Sequence, residues 1–199
     1  MINNGELIRE RSVDSLQQIY AVIIALAVSQ AFENLLKDPV RGNVLGGDQI
    51  IIGLPPLVAF LFTLVPFWHG MNRHLDRCYL EKKIAVRQGA LLFDFGIFLV
   101  EAALLFAAAW SLRTGIYTFI YLGALLFIDI IWGFISHQVH FPGKKSHVRR
   151  WSLINAFAIA LALLVVACPI MFKTTALMAV AILRSVVDYW KCWDFYFPW

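Results

Sequence analysis

Charged residues are scarce in this sequence: only 15% of its 199 residues are Asp, Glu, Lys or Arg, whereas 60% are hydrophobic. Soluble domains carry about 25% charged and about 45–50% apolar residues. A water-soluble fold of this length could not cover so much apolar surface, because a large share of any folded surface faces solvent. The mean hydropathy of +0.71 therefore excludes an ordinary soluble domain and indicates a chain surrounded by lipid.

Cysteine is also rare, and the common motifs of enzyme families are missing. The three cysteines (Cys78, Cys168 and Cys192) form no CxxC pair, so nothing indicates a disulfide framework or a cysteine-based zinc site. The sequence also lacks a phosphate-binding loop, a nucleophile elbow and an HExxH zinc motif. These absences leave an enzyme without support, so we expect a non-catalytic protein with no cofactor.

Six apolar runs reach or approach the length of about 20 residues that a membrane-spanning helix needs. The sixth run is the shortest, and it carries two charged residues, so it could span the membrane or lie at its interface. The charged stretch 69–87 has no Gly or Pro after its second residue and is expected to continue as helix beyond the membrane. We predict one all-α membrane domain over 1–199, with spans at 15–32, 49–68, 88–112, 114–136, 151–172 and 174–190.

The distribution of positive charge predicts an orientation for these spans. With the N-terminus inside, thirteen of the 17 lysines and arginines fall on the inner side and four on the outer side. The positive-inside rule then places both termini in the cytoplasm, in a cell inner membrane. Because these charges lie in short loops between apolar runs, they indicate membrane orientation and not direct nucleic-acid binding.

Charged residues occur inside three of the predicted spans, where each costs about 2.5–3.5 kcal/mol on insertion scales. Asp94 and Glu101 are seven residues apart and share one helix face. Arg184 and Asp188 are four apart and can pair. Estimated depths place most of these groups in one layer around Arg184, whereas Glu101 lies deeper and is expected to be protonated, since burial favours a neutral carboxyl. The predicted intramembrane polar cluster consists of Asp94, Glu101, Asp129, Asn155, Arg184 and Asp188.

Two interpretations of this cluster remain open. Its charges could be structural, with Arg184 neutralising two acids and tying helices together. Alternatively, four acids against one arginine form an acidic path for a cation or a proton. The second interpretation predicts a small cation channel or transporter, which at 22.6 kDa needs several copies of the chain to build a wide pore.

Contacts with other proteins are the remaining prediction. The polar stripe of Gln18, Ser29 and Glu33 on the first helix is expected to contact another copy in a homo-oligomer. The aromatic tail 190–199 is expected to lie in the membrane interface or to fill a groove of a partner subunit. The alternative function is a non-catalytic membrane subunit, for example in a defence or signalling system. A soluble cytoplasmic partner would then bind Arg73, Arg77, Lys82, Lys83 and Arg87.

The five histidines all fall on the cytoplasmic side of this topology. His137 and His140 are three residues apart and could bind one metal ion together with His69 or His74. Their spacing matches no established zinc motif. We therefore predict histidines beside the membrane interface, with no metal ligand.

In its number of spans and in the charged residues before its first helix, the chain resembles the lysosomal-type potassium channel family. That family begins its first helix with a Phe-Ser-Asp motif. Residues Val13, Asp14 and Ser15 stand near the equivalent place and depart from that motif. The resemblance implies a six-span cation channel, and it transfers no functional residue to this chain.

Overall fold

A computed structural model of the chain describes residues 4–37, 43–81, 89–140 and 146–198. The described residues are almost entirely helical and contain no strand, apart from one isolated bridge between Lys37 and Val44. This confirms the predicted all-α fold. The helices are α1 (Asn4–Leu36), α2 (Gly47–Leu75), α3 (Ala90–Trp110), α4 (Ile116–His140), α5 (His147–Ala167), α6 (Lys173–Lys191) and the short α7 (Trp193–Tyr196).

The six long helices pack side by side as a ring. The order around the ring is α1, α3, α4, α5, α6 and α2, and α2 returns to α1. Helices α1, α3 and α5 begin at one end of the bundle, and α2, α4 and α6 finish there; we name this end the N-terminal end. At the opposite end, the Asn34 amide of α1 donates to the carbonyls of Ala109 and Trp110 at the end of α3, which fixes the parallel alignment of these helices.

Five helices, α1 to α5, are long and apolar enough to cross a membrane. Their outer faces carry large apolar side chains, such as Leu92, Phe127 and Leu153, which are 58–73% exposed on the single chain. An apolar surface this extensive is unfavourable in water and favourable in hydrocarbon. These are the features of a multi-pass membrane protein.

Helix α6 forms close to where the sequence predicts the sixth span, yet its composition differs from that of the other five. Its 19 residues give a length of about 28 Å, close to the thickness of a hydrocarbon core of about 30 Å. Because it contains the charged residues Arg184 and Asp188, α6 is less apolar than the five helices that are apolar enough to cross a membrane. Both side chains are buried, so its charged face points into the bundle between α2 and α5.

Two helices extend beyond their apolar runs, as amphipathic segments can when they pack on neighbours. Helix α1 begins at Asn4, well before the predicted span. Helix α2 continues through one π-helical segment, Asp76–Glu81, so the helical extension predicted for 69–87 is present as far as Glu81. Residues 82–88 lie outside the described part of the chain. The tight connection between α3 and α4 is a 3₁₀ turn, Leu112–Thr114, followed by Gly115 at a φ of +55°.

The aromatic tail packs partly on its own chain. Phe195 and Tyr196 of α7 are buried, whereas Trp190 and Trp193 are 69% and 52% exposed, so a position in the membrane interface or against a partner subunit stays a prediction. The Phe195 ring stacks on His147 at a centroid distance of 3.9 Å and meets Trp151 edge-on at 4.9 Å. The tail therefore closes the N-terminal end of the bundle against the start of α5.

Helices α4 and α5 approach each other most closely at Gly133. A Cβ added at this glycine would overlap the Ser152 Oγ of α5 and lie 3.3 Å from the Val148 side chain. Gly123, ten residues earlier on the same helix, has no atom within 4 Å of such a Cβ. Gly133 and Gly123 are therefore a matched pair of test positions, because only Gly133 is required for the contact between α4 and α5.

We predict that Gly133→Ala lowers the free energy of unfolding by about 1–3 kcal/mol, because it forces α4 and α5 apart. Gly123→Ala should leave stability unchanged or raise it by up to about 1 kcal/mol, through the better helix propensity of alanine. Denaturant unfolding in detergent, followed by circular dichroism, measures both. Adding Ser152→Ala to Gly133→Ala should restore part of the loss, and equal stabilities of the two alanine variants would contradict this packing.

The cysteines provide a test of burial and orientation. Cys168 is exposed after α5, whereas Cys78 and Cys192 are buried. Burial and the nearby Asp188 carboxylate raise the pKa of the Cys192 thiol to about 12, which suppresses its reactive thiolate. A maleimide should therefore label Cys168 alone in folded protein and all three cysteines in denaturant. With cytoplasmic termini, an impermeant maleimide should label Cys168 in intact cells, and labelling only after lysis would reverse the orientation.

Candidate functional site in the buried polar core

The predicted polar residues of the membrane-embedded helices all point into the bundle. Asp94, Glu101 and Asp188 are each 1% exposed, and Asn155 is completely buried. The shared helix face of Asp94 and Glu101 is thus the inner face of α3. The six residues divide into two hydrogen-bonded groups and one separate carboxyl.

The first group, which we name the arginine cluster, consists of Asp129, Asn155, Arg184, Asp188 and Tyr196. The Arg184 guanidinium donates through Nε to Asn155 Oδ1 at 2.8 Å, and its Nη1 lies 3.4 Å from Asp188 Oδ2. The Asn155 amide donates in turn to Asp129, and the Tyr196 hydroxyl donates to Asp188 at 3.0 Å. One arginine thereby contacts the acid on α6 directly and the acid on α4 through an asparagine of α5.

The separate carboxyl is Glu101, which lies beside a small cavity in the core. The cavity measures about 20 Å³, enough for one water molecule. Glu101, Asp129, Arg184 and Asp188 line it on one side, together with apolar and aromatic side chains that include Trp132. Glu101 Oε1 is buried and has no hydrogen-bond partner among the described protein groups. The cavity therefore joins the unpaired carboxyl to the arginine cluster.

The second group, which we name the His–Asp cluster, surrounds Asp94 with four side-chain contacts. Asp94 Oδ1 accepts a hydrogen bond from Trp132 Nε1 at 2.9 Å. Asp94 Oδ2 accepts one from the Tyr79 hydroxyl at 2.7 Å and lies 3.2 Å from Nε2 of both His74 and His140. Trp132 also lines the cavity beside Glu101, so this one side chain separates the two clusters.

The positions of these residues follow from the helix ends. Asp94 lies in the second turn of α3, whereas His74 and His140 lie in the last turns of α2 and α4. Tyr79 is brought inward by the π-helical segment after α2, where the chain has already left its apolar run. All of them therefore meet at the N-terminal end of the bundle.

The sequence does not predict the partners of Asp94. The predicted place of His74 and His140 is the membrane interface, and the sequence indicates no role for Tyr79 or Trp132. The hydropathy of a run gives the depth of a residue, but it does not give the rotation of the helix about its axis. One feature of the sequence could have indicated the cluster: α2 and α4 each have a histidine in the last turn, at the depth of Asp94.

The other candidate metal ligands among the histidines lie apart from this group. His137 Nδ1 hydrogen-bonds Ser146 Oγ at 2.8 Å, which ties the end of α4 to the residue that caps α5. His69 packs against Tyr189 and Tyr196 on the other side of α2. The pairing of His137 with His140 that the spacing allows is therefore not the arrangement in this fold.

The proposed surfaces for other proteins are only partly described. Arg73 forms an ion pair with Glu81 at 2.8 Å, and Arg77 lies over the Phe195 ring at 5.6 Å, so both contact their own chain. The remaining three docking residues, Lys82, Lys83 and Arg87, lie outside the described residues. The polar stripe of α1 is exposed on the outer face of the bundle. Partner docking and a homo-oligomer both stay predictions.

No protein-family model matches the chain, and no similar curated protein or solved structure was found. The function of the core therefore has to be inferred from its own geometry and charge.

We predict that Arg184→Met lowers the free energy of unfolding by about 3–5 kcal/mol, because it leaves the carboxylates of Asp129 and Asp188 buried without a cation. Lys173→Met, at the half-buried start of the same helix, removes only a hydrogen bond from Lys173 Nζ to the Val166 carbonyl and should change stability by less than about 1 kcal/mol. Denaturant unfolding in detergent at neutral pH compares the two. A small effect of Arg184→Met would show that the acids around it are not charged.

Proposed function

We propose that this protein is a membrane transporter or channel for a cation, in its simplest form a proton, and that Glu101 is the central carrier. The proposal depends on one observation. Among the described residues, four acids are buried in the core (Asp94, Glu101, Asp129 and Asp188), and Arg184 is the one buried lysine or arginine.

Charge balance supports the proposal. A buried carboxylate without a partner is far too costly to persist, so the group must take up a proton or bind a cation. Arg184 is already shared by Asp129, through Asn155, and by Asp188. Glu101 remains with an unpartnered oxygen in the cavity, and it is therefore the group that must gain and lose the mobile charge.

The size of the cavity favours a proton over a larger hydrated ion. A volume of about 20 Å³ holds one water molecule, which can pass a proton between neighbouring carboxyls. A metal cation with its hydration shell needs a wider polar path, and the wider cleft that reaches Arg184, about 500 Å³ in volume, is lined almost entirely by apolar side chains. The route through the described core is therefore suited to proton hopping.

The two halves of the core differ in polarity. Between Glu101 and the opposite end of the bundle, the buried side chains are apolar, namely Phe60, Leu105, Ala108, Leu122 and Leu125. A cleft of about 500 Å³ between α4, α5 and α6 in this half reaches Arg184, and its lining is almost entirely apolar. Toward the N-terminal end, the His–Asp cluster continues the polar path as far as His140, whose side chain is 8% exposed.

A proton-flux assay tests the proposal. In proteoliposomes holding a pH-sensitive dye and a potassium diffusion potential, wild-type protein should acidify the lumen. Glu101→Gln should reduce the rate by more than about tenfold, because an amide neither releases nor accepts a proton under these conditions. Glu10→Gln is the matched control, since Glu10 is exposed near the start of α1, away from the core; its rate should match wild type.

Two results would overturn the proposal. The first is flux in Glu101→Gln equal to that of wild type. The second is no flux in wild type, combined with a soluble protein that co-purifies and is lost on charge reversal at Lys82, Lys83 and Arg87; this result would favour the docking subunit. Replacing all alkali cations by an impermeant organic cation, with a proton gradient as the driving force, separates proton flux from sodium or potassium flux.

A further inference from the structure

The His–Asp cluster has the composition and the spacing of a metal site. The ligand atoms of His74, Asp94 and His140 all lie within 4.8 Å of one another. They come from three different helices: α3 and α4, which are neighbours in the ring, and α2, which contacts both of them across its interior. The Tyr79 hydroxyl is a fourth polar atom at the same point, 2.7 Å from Asp94 Oδ2.

The distances fit ligands around one ion. Both imidazole Nε2 atoms lie 3.2 Å from Asp94 Oδ2. Charge-assisted N–H···O hydrogen bonds are usually shorter, at about 2.7–2.9 Å. A tetrahedral ion with bonds of about 2.0–2.1 Å places its ligand atoms about 3.3–3.4 Å apart, which is close to the two nitrogen-to-oxygen separations, and the two histidine nitrogens lie within 4.8 Å of each other.

Neighbouring groups hold the ligands in orientation. Trp132 Nε1 donates to Asp94 Oδ1 and leaves Oδ2 directed at the two histidines. The His74 ring packs edge-on against Trp132 at 4.8 Å, and its Nδ1 lies 3.8 Å from Cys78 Sγ. Supporting contacts of this kind, to the second oxygen of a carboxylate and to the second nitrogen of an imidazole, are typical of protein metal sites.

We propose that His74, Asp94 and His140 bind a divalent transition-metal ion of the Zn²⁺ or Co²⁺ type. Two imidazoles and one carboxylate suit such ions, whereas Mg²⁺ and Ca²⁺ prefer all-oxygen ligand sets. The dication also offsets part of the excess negative charge of the core. This site is separate from Glu101, although the proposed proton path continues through the same cluster toward His140; its test measures metal binding and not proton flux.

Binding would stabilise the N-terminal end of the bundle. The three ligands lie at the ends or starts of α2, α3 and α4, so one ion would tie these helices together. An ion that binds the folded chain and not the unfolded chain raises the midpoint of unfolding. Access is available from this end, because His140 is the last residue of α4 and its side chain is partly exposed.

The test is a Co²⁺ titration of full-length protein in detergent, purified without a polyhistidine tag and treated with a chelator. Wild type should bind one equivalent and show the visible absorption bands of tetrahedral Co²⁺; Zn²⁺ should displace the colour and raise Tm. His140→Gln should lose both signals. His137→Ala is the matched control on the same helix, since His137 bonds Ser146 instead of Asp94, and it should retain them.

A second variant keeps the test decisive if His140→Gln does not fold. His140→Cys supplies a thiolate ligand at the same position, so it should still bind Co²⁺ and add a sulfur-to-metal charge-transfer band. Folded His140→Cys without that band, or wild type that binds less than about one tenth of an equivalent of Co²⁺ and Zn²⁺, would overturn the proposal. Equal loss in His137→Ala would assign the metal to exposed histidines and overturn it as well. Each readout is independent of proton flux, so the failure of one proposal leaves the other standing.

Discussion

Arg184 places a permanent positive charge inside a bundle whose outer surface is apolar, and the arrangement of the core depends on how that charge is compensated. The guanidinium is 6% exposed and lies over the Phe67 ring at 4.9 Å, with Asn155 and Asp188 as its polar contacts. In hydrocarbon, removal of any one of these partners leaves a buried polar group unsatisfied. The positions of α4, α5 and α6 around the ring are therefore coupled through a single side chain.

Once Arg184 is neutralised by its acidic partners, the core still contains more carboxyl groups than buried lysine or arginine side chains. Asp94 is separated from Arg184 by Trp132 and has its own set of donors, whereas Glu101 is left beside a cavity of one water molecule. A purely structural core would be expected to match its charges or to use neutral polar groups. A carboxyl without a cation at this depth has to be neutralised by a proton or by a bound cation, and the proposed role of Glu101 rests on that requirement.

The sequence predicts the parts of this structure that depend on local spacing. The seven-residue interval from Asp94 to Glu101 gives their common face, and the four-residue interval from Arg184 to Asp188 gives their pairing. These predictions need only the helical period and the rise per residue.

Other features depend on the rotation and packing of whole helices, which no local pattern encodes. His74 and His140 meet at Asp94 through the packing of α2 and α4 around α3, and the π-helical segment after α2 brings Tyr79 to the same carboxylate. The tail packs on its own chain because only one residue, Cys192, separates α7 from α6. This short connection places Phe195 of α7 against His147 and Trp151. A pattern of hydrophobicity indicates that the tail prefers an apolar surface, but not which one.

The central claim is that the buried acids outnumber the fixed cations, so that one carboxyl of the core carries an exchangeable proton. Infrared spectroscopy of the protein in lipid at neutral pH measures this directly, because a protonated carboxyl absorbs apart from a carboxylate. We predict a protonated-carboxyl band in wild type that shifts on exchange into heavy water and is absent in Glu101→Gln. A spectrum with no such band in wild type, or an unchanged band in the variant, would contradict the account.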